Sequence, residues 1–65
     1  MMKLRDLLMI IPTCEIIRVW DRTKNETYFG EAEECPNKFW GGDVVGLYST
    51  DCGGLVITLE RWNDV

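Results

Sequence analysis

The 65-residue sequence contains no histidine, which removes the commonest general base of enzymes and a frequent metal ligand. Its three cysteines, Cys14, Cys35 and Cys52, include no CxxC pair. Because an odd number excludes a complete set of intrachain disulfides, the pattern favours reduced thiols and a cytoplasmic location. Two usual supplements of a small domain, metals and disulfides, are therefore disfavoured, and self-association into a homo-oligomer is expected instead.

Basic residues are also scarce. Seven Lys and Arg residues stand against eleven Asp and Glu residues, for a net charge of −4, and the basic residues form no stripe along the sequence. Proteins that contact the phosphates of a duplex normally carry such a stripe, so direct DNA binding is not expected. The one tight acidic cluster, at Glu31, Glu33 and Glu34, is small and is typical of a solvated strand end.

Long apolar runs are absent. The apolar stretch at residues 7–11 is too short to span a bilayer. Asp6 interrupts the basic start, and no small-residue cleavage site follows Pro12, so the sequence predicts neither a secretory signal nor a membrane association.

Motifs for catalysis are missing as well. The glycine pairs at 41–42 and 53–54 lack the spacing of phosphate-binding loops and are typical of turns. The thiols have no histidine to activate them, and no pair among the eleven acids is distinguished by its spacing. We therefore expect neither a cofactor nor enzymatic activity.

What the sequence does contain is a single domain, residues 1–65, with one helix and two hairpins. Residues 2–11 predict an amphipathic helix, ended near Ile10 by Pro12, because apolar residues recur with helical spacing at Leu4, Leu7, Leu8 and Ile11. The remaining predictions are strands at residues 14–21, 26–33, 43–50 and 55–61, turns at 22–25 and 51–54, and a loop at 34–42 with one helical turn at 36–40.

The predicted fold class is α+β, with the N-terminal helix packed on a four-stranded antiparallel sheet of two hairpins. The alternative is a sheet curled into a small half-open barrel. In the first strand Ile17 and Val19 point one way, whereas Ile16, Arg18 and Trp20 point the other way. Both faces of the sheet are therefore predicted to carry apolar side chains.

Three tryptophans in so small a domain cannot all be buried. Trp20 is expected outside the main core, Trp40 lies in a glycine-flanked loop, and Trp62 follows the last predicted strand. Because Trp, Tyr and Arg dominate binding hot spots, we predict a binding surface with Trp20 and Trp40 as its two halves. Its candidate residues are Arg18, Trp20, Phe39, Trp40, Tyr48 and Trp62. The alternative is a second small core on the face of the sheet that carries Trp20.

Five stretches carry a resemblance to a known group of proteins: LRDLLMII at 4–11, IIRVWD at 16–21, YFGEAEECP at 28–36, VVGLYSTD at 44–51 and LVITL at 55–59. The layout resembles short helix-plus-two-hairpin proteins of Firmicutes and of their phages and prophages, with an hDLLxxI helix, an IxIYD…GExxYxGxAxxIP hairpin and a closing VxSIYAEDDxLVIEV hairpin. The chain departs from that pattern at Trp20, at residues 39–42 and at Trp62. The resemblance implies a small accessory protein of a mobile element.

Three functions are compatible with these features. The first is a non-enzymatic binding protein that inhibits a host defence protein by direct contact. The second is an oligomeric sponge for an anionic nucleotide signalling molecule, which stacks on aromatic rings and pairs with Arg18 or Arg22. The third is a structural subunit of a phage or of its host.

Overall fold

The computed structural model describes residues 2–51 and 54–61 and shows a small α+β protein. One helix, α1 (Leu4–Leu8), precedes four strands: β1 (Ile16–Asp21), β2 (Glu26–Glu31), β3 (Asp43–Ser49) and β4 (Leu55–Glu60). Two short 3-10 turns, Ala32–Glu34 and Asn37–Phe39, lie between β2 and β3. All four predicted strands are confirmed, and each is shorter than predicted by one or two residues.

The sheet is mixed, in the order β2-β1-β4-β3, so the prediction of a fully antiparallel sheet is wrong. Each hairpin is antiparallel, but β1 and β4 pair in parallel, with Ile17 opposite Leu55. The reason lies in the segment between the hairpins, which carries the chain across one face of the sheet from the β2 edge to the β3 edge. The first and last strands therefore meet in the middle, and the sheet has two edges instead of closing into a barrel.

Helix α1 has only five residues, fewer than predicted, because the chain is extended on its N-terminal side. Lys3 forms a bridge with Asp43, and the Val44 N–H donates to the Met2 carbonyl at 2.8 Å. On the other side the helix ends at Leu8, short of the region where Pro12 restricts the backbone. Leu4 and Leu7 are nonetheless buried as the spacing predicts.

The core lies on one face of the sheet only, which we call the inner face. It is formed by side chains of α1, the strands and the connecting segment: Leu4, Leu7, Ile17, Val19, Ala32, Cys35, Phe39, Ile57 and Leu59. Inward and outward residues alternate along β1 and β4 as predicted. The other face, the outer face, has neither the helix nor the 3-10 turns packed on it among the described residues.

Candidate functional site

The outer face carries large side chains that remain in contact with solvent. Its members are Ile16, Arg18 and Trp20 from β1, Thr27, Phe29 and Glu31 from β2, Tyr48 from β3, and Val56, Thr58 and Glu60 from β4. Phe29 is 66% exposed and Tyr48 is 62% exposed. These two aromatic side chains lie on the two edge strands, and Trp20, also exposed, lies on β1 between them. Several exposed large apolar side chains on one face are typical of an interaction site.

The strand register aligns four of these residues in one row across the sheet. Phe29 pairs with Arg18, Arg18 with Val56, and Val56 with Tyr48. The Arg18 guanidinium carbon lies 5.1 Å from the centre of the Phe29 ring, which is the distance of a cation–π contact. Arg18, the charged residue of this row, therefore lies beside an aromatic ring at the centre of the outer face.

Trp20 occupies the next row on the same face. It lies opposite Thr27 on one side and Thr58 on the other, and it is 44% exposed. The Arg22 guanidinium carbon lies 6.0 Å from the centre of its indole ring. Arg18 and Arg22 thus both accompany aromatic rings, and among the described residues neither forms a salt bridge.

A groove of about 650 Å³ opens at the end of the outer face where β1 and β4 begin. Apolar side chains and Arg18 form most of its walls: Cys14, Ile16, Arg18, Phe29, Leu55 and Val56. Its volume falls within the range of small-ligand sites, and its charged lining residues in the described part of the chain are Arg18 and Glu15.

Trp40 and Trp20, the two predicted halves of the binding surface, lie on different sides of the sheet. The Trp40 carbonyl accepts from the Arg5 N–H at 3.2 Å, which places this residue beside α1 on the inner side of the sheet. Its indole N–H donates to the Cys35 carbonyl at 3.2 Å, and its ring lines a pocket of about 230 Å³ with Leu8 and Met9. Trp40 is 43% exposed.

Phe39, also predicted to bind, is only 1% exposed and belongs to the core. Its ring packs 6.4 Å from that of Tyr28, and the Lys38 ammonium lies 5.4 Å from its centre. The 3-10 turn Asn37–Phe39 directs this side chain inward, away from the surface. Trp62 lies outside the described residues.

Two acidic side chains that the sequence did not single out are buried. The Asp21 carboxylate accepts from Arg61 Nε at 3.0 Å and from the backbone N–H groups of Thr23 and Lys24 at 3.1 and 3.3 Å. Asp43 pairs with the Lys3 ammonium at 3.0 Å. A signal for Asp21 exists in the alternation of β1, which places this residue on the same face as Ile17 and Val19. These two salt bridges stabilise the fold and engage the side chains of Arg61 and Lys3.

Candidate metal ligands and thiols are present among the described residues. Within residues 2–51 and 54–61, His, Cys, Asp and Glu form no group of three or more that could hold a metal ion. Burial raises the pKa of the Cys35 thiol to about 11, so this thiol stays protonated at neutral pH and is a poor nucleophile. Cys14 is exposed. No helix in the described part of the chain is long and apolar enough to cross a membrane.

Comparisons with protein-family models, with curated proteins and with solved structures give no match to this chain.

Proposed function

We propose that this chain is a non-enzymatic binding protein whose outer face docks on a partner protein. The observation that carries the proposal is the uncovered outer face, on which Trp20, Phe29 and Tyr48 stand exposed around Arg18. Aromatic and arginine side chains of this kind supply most of the binding energy in protein–protein interfaces. No cofactor takes part in the proposed function.

The charges of the face indicate what the partner presents. The chain as a whole carries −4, and Glu31 and Glu60 lie on the outer face. Arg18 at the centre of that face and Arg22 just after β1 lie beside aromatic rings and form no salt bridge among the described residues. A complementary surface is apolar with one or two carboxylates near its centre. Such a surface pairs the two guanidiniums while the rings of Trp20 and Phe29 bury apolar area.

The resemblance to short phage and prophage proteins of Firmicutes supplies a setting for this surface. In that setting the partner is a protein of the bacterial host, in the cytoplasm, and binding inhibits a defence function by covering its active surface. This part of the proposal rests on the resemblance, whereas docking through the outer face rests on the exposed side chains.

Two tryptophans make a matched test of the docking surface, because Trp20 and Trp40 are equally exposed and lie on opposite sides of the sheet. The full chain, its Trp20→Ala variant and its Trp40→Ala variant are immobilised and exposed to host lysate. We expect a protein to be retained by the full chain and by Trp40→Ala, and to be lost from Trp20→Ala. The retained protein is then purified, and its affinity for the three chains is measured by calorimetry.

For a residue at the centre of an interface, truncation of Trp20 should weaken binding by about tenfold or more, which corresponds to about 1.4 kcal/mol. Arg18→Ala should weaken it comparably. If Trp40→Ala abolishes retention and Trp20→Ala does not, the docking surface lies on the inner side of the sheet and the proposal is wrong. Retention of a protein by all three chains equally would also contradict it.

A second candidate function is favoured by the groove at the end of the outer face. Its volume of about 650 Å³ and the Arg18–Phe29 pair in its wall suit an anionic nucleotide, whose base stacks on the ring and whose phosphate pairs with the guanidinium. Thermal denaturation against a panel of mono-, di- and cyclic nucleotides tests this function. A rise in melting temperature that Arg18→Ala removes would support it, and an unchanged melting temperature throughout the panel would eliminate it.

A further inference from the structure

We infer that β3 pairs with the β3 strand of a second copy of this chain, so that two four-stranded sheets join into one of eight strands. β3 is an edge strand, and among the described residues only the extended segment at Met2 and Lys3 lies alongside it. That segment reaches Asp43 and Val44 and leaves the rest of the edge open.

The open part of the edge presents backbone groups ready for pairing. The Thr50 N–H donates to the Gly54 carbonyl at 3.3 Å, toward β4. Since N–H groups alternate in direction along a strand, those of Leu47 and Ser49 point away from β4, and so do their carbonyl groups. No strand of the described chain pairs with them on that side. Such an edge is a template for another strand.

The side chains of β3 favour a second copy of this chain as the partner. From Val44 to Ser49 the strand contains no charged residue and no proline, which are the usual protections of an edge. The opposite edge, β2, begins and ends with glutamate, at Glu26 and Glu31. Because each copy carries −4, the uncharged β3 edge is where two copies meet with the least electrostatic repulsion.

A two-fold axis beside Tyr48 gives a consistent antiparallel register. Leu47 then lies opposite Ser49 of the partner subunit, which places the outward-pointing backbone groups of the two strands face to face. Tyr48 lies opposite Tyr48 of the partner subunit, on the outer face. The row Phe29, Arg18, Val56 and Tyr48 continues through the axis into its symmetric copy, so that the two outer faces form one surface.

The area of the outer face also favours this pairing. Four strands about 4.8 Å apart and about 20 Å long give a face of about 400 Å². A standard protein–protein interface buries about 800 Å² on each partner, which is about what two joined faces provide. This area argument rests on the proposed function, whereas the arguments from the backbone and from charge do not.

The test uses prolines at two matched positions. Ser49→Pro removes an N–H that points outward from β3, and Thr27→Pro removes an N–H that points outward from β2, so both variants keep the hydrogen bonds within the sheet. Leu47→Lys adds a charge to the β3 edge and leaves the backbone intact. Sedimentation velocity at protein concentrations up to about 1 mM gives the mass of each chain, with circular dichroism as the check of folding.

We expect the full chain, Thr27→Pro and Trp20→Ala to sediment with twice the mass of 7.5 kDa, and Leu47→Lys and Ser49→Pro to sediment as monomers. A full chain that is monomeric throughout would overturn the inference. A dimer that Trp20→Ala abolishes and Leu47→Lys spares would also overturn it, because the copies would then meet through their outer faces. Whether Trp20→Ala loses the partner protein is measured in the lysate experiment and not by sedimentation. Failure of the docking surface can therefore be distinguished from failure of the β3 pairing.

Discussion

Asp21 joins parts of the chain that are far apart in the sequence. Its buried carboxylate receives hydrogen bonds from the turn after β1 and from Arg61 after β4, and Arg61 in turn donates to the Lys38 carbonyl at 2.6 Å. The Thr23 hydroxyl also accepts from the Arg61 N–H at 2.9 Å. The network therefore closes the end of the sheet where β1 and β4 finish and where β2 begins.

Asp21→Ala should lower the free energy of unfolding by about 3 kcal/mol, because it leaves Arg61 and two backbone N–H groups without their acceptor. Asp21→Asn keeps an oxygen for the turn and should cost less. Urea denaturation followed by tryptophan fluorescence measures both. The control is Glu33→Ala, an exposed acid whose loss should change stability by less than about 0.5 kcal/mol. An Asp21→Ala variant as stable as Glu33→Ala would show that the network contributes nothing.

At the scale of the element, the pairing of β4 with β1 depends on a close contact between two backbones. β4 is directly preceded by Gly54, whose φ of 97° lies in a region that residues with a side chain avoid. A Cβ at this position would lie 2.8 Å from the Ile16 carbonyl oxygen. The close approach of the Gly54 and Ile16 backbones starts the parallel pairing of β1 and β4, so a glycine is required there.

Gly54→Ala should destabilise the protein by about 1–3 kcal/mol, from the strained backbone and from the contact with Ile16. Gly41→Ala is the matched control, because its Cβ would have only ordinary contacts, the nearest at 3.6 Å from an Arg61 nitrogen. Thermal denaturation of the two variants should therefore differ clearly. Equal melting temperatures would mean that the junction of β4 and β1 relaxes without cost.

Helix α1 is too short to be stable by itself and depends on its packing against the sheet. Leu7 is buried in the core, whereas Met9, at the end of the helix, is almost fully exposed. Leu7→Ala should lower stability by about 2–5 kcal/mol, and Met9→Ala should leave it nearly unchanged. Chemical denaturation of both variants checks this, and an unaffected Leu7→Ala variant would remove α1 from the core.

At the scale of the whole molecule, local patterns predicted the elements and failed on their arrangement. The alternation in β1 and β4 separates Ile17 and Val19 from Arg18 and Trp20, and the structure confirms it. The parallel pairing of β1 with β4 depends on where residues 32–42 carry the chain, and no local spacing encodes that path. The burial of Phe39 and the position of Trp40 beside α1 follow from the same path.

Phe29 lies on the outer face and is not among the predicted binding residues, although the sequence is sufficient to predict its position. A four-residue turn at 22–25 pairs Asp21 with Glu26, and the same register places Phe29 opposite Arg18. The prediction of the turn was therefore sufficient to find the cation–π pair. The pairing of Val56 with Tyr48 on the other half of the face is different. The predicted turn at 51–54 pairs Thr50 with Leu55, whereas the structure pairs Ser49 with Leu55, so the predicted register there is wrong by one residue.

Stability of the whole chain should fall in alkaline solution. Burial raises the pKa of Cys35 from 9.0 to about 11, so between these values the folded state keeps a proton that the unfolded state releases. Burial, with the nearby Cys35, Glu34 and Glu31, raises the pKa of Tyr28 in the same direction. Unfolding thus becomes more favourable as the pH rises, whereas below pH 9 these two groups leave stability unchanged.

We expect the melting temperature to decline from about pH 9 to pH 11 and to be steady from pH 7 to pH 9. Cys35→Ala should decline less steeply over that interval, because only the contribution of Tyr28 remains. Cys14→Ala, which removes an exposed thiol, should follow the full chain. Parallel curves for all three proteins would show that ionisation of Cys35 is not coupled to unfolding.

The central place of β4 also sets an order in which the molecule assembles. The β1–β2 hairpin is local and can form as soon as its residues are available. The edge of β1 that pairs with β4 in the complete sheet stays unpaired until residues 55–60 are present. A newly made chain therefore exposes that edge while the 33 residues between Asp21 and Leu55 are still being synthesised. β4 is the strand that pairs with both β1 and β3 and so joins the four strands into a single sheet.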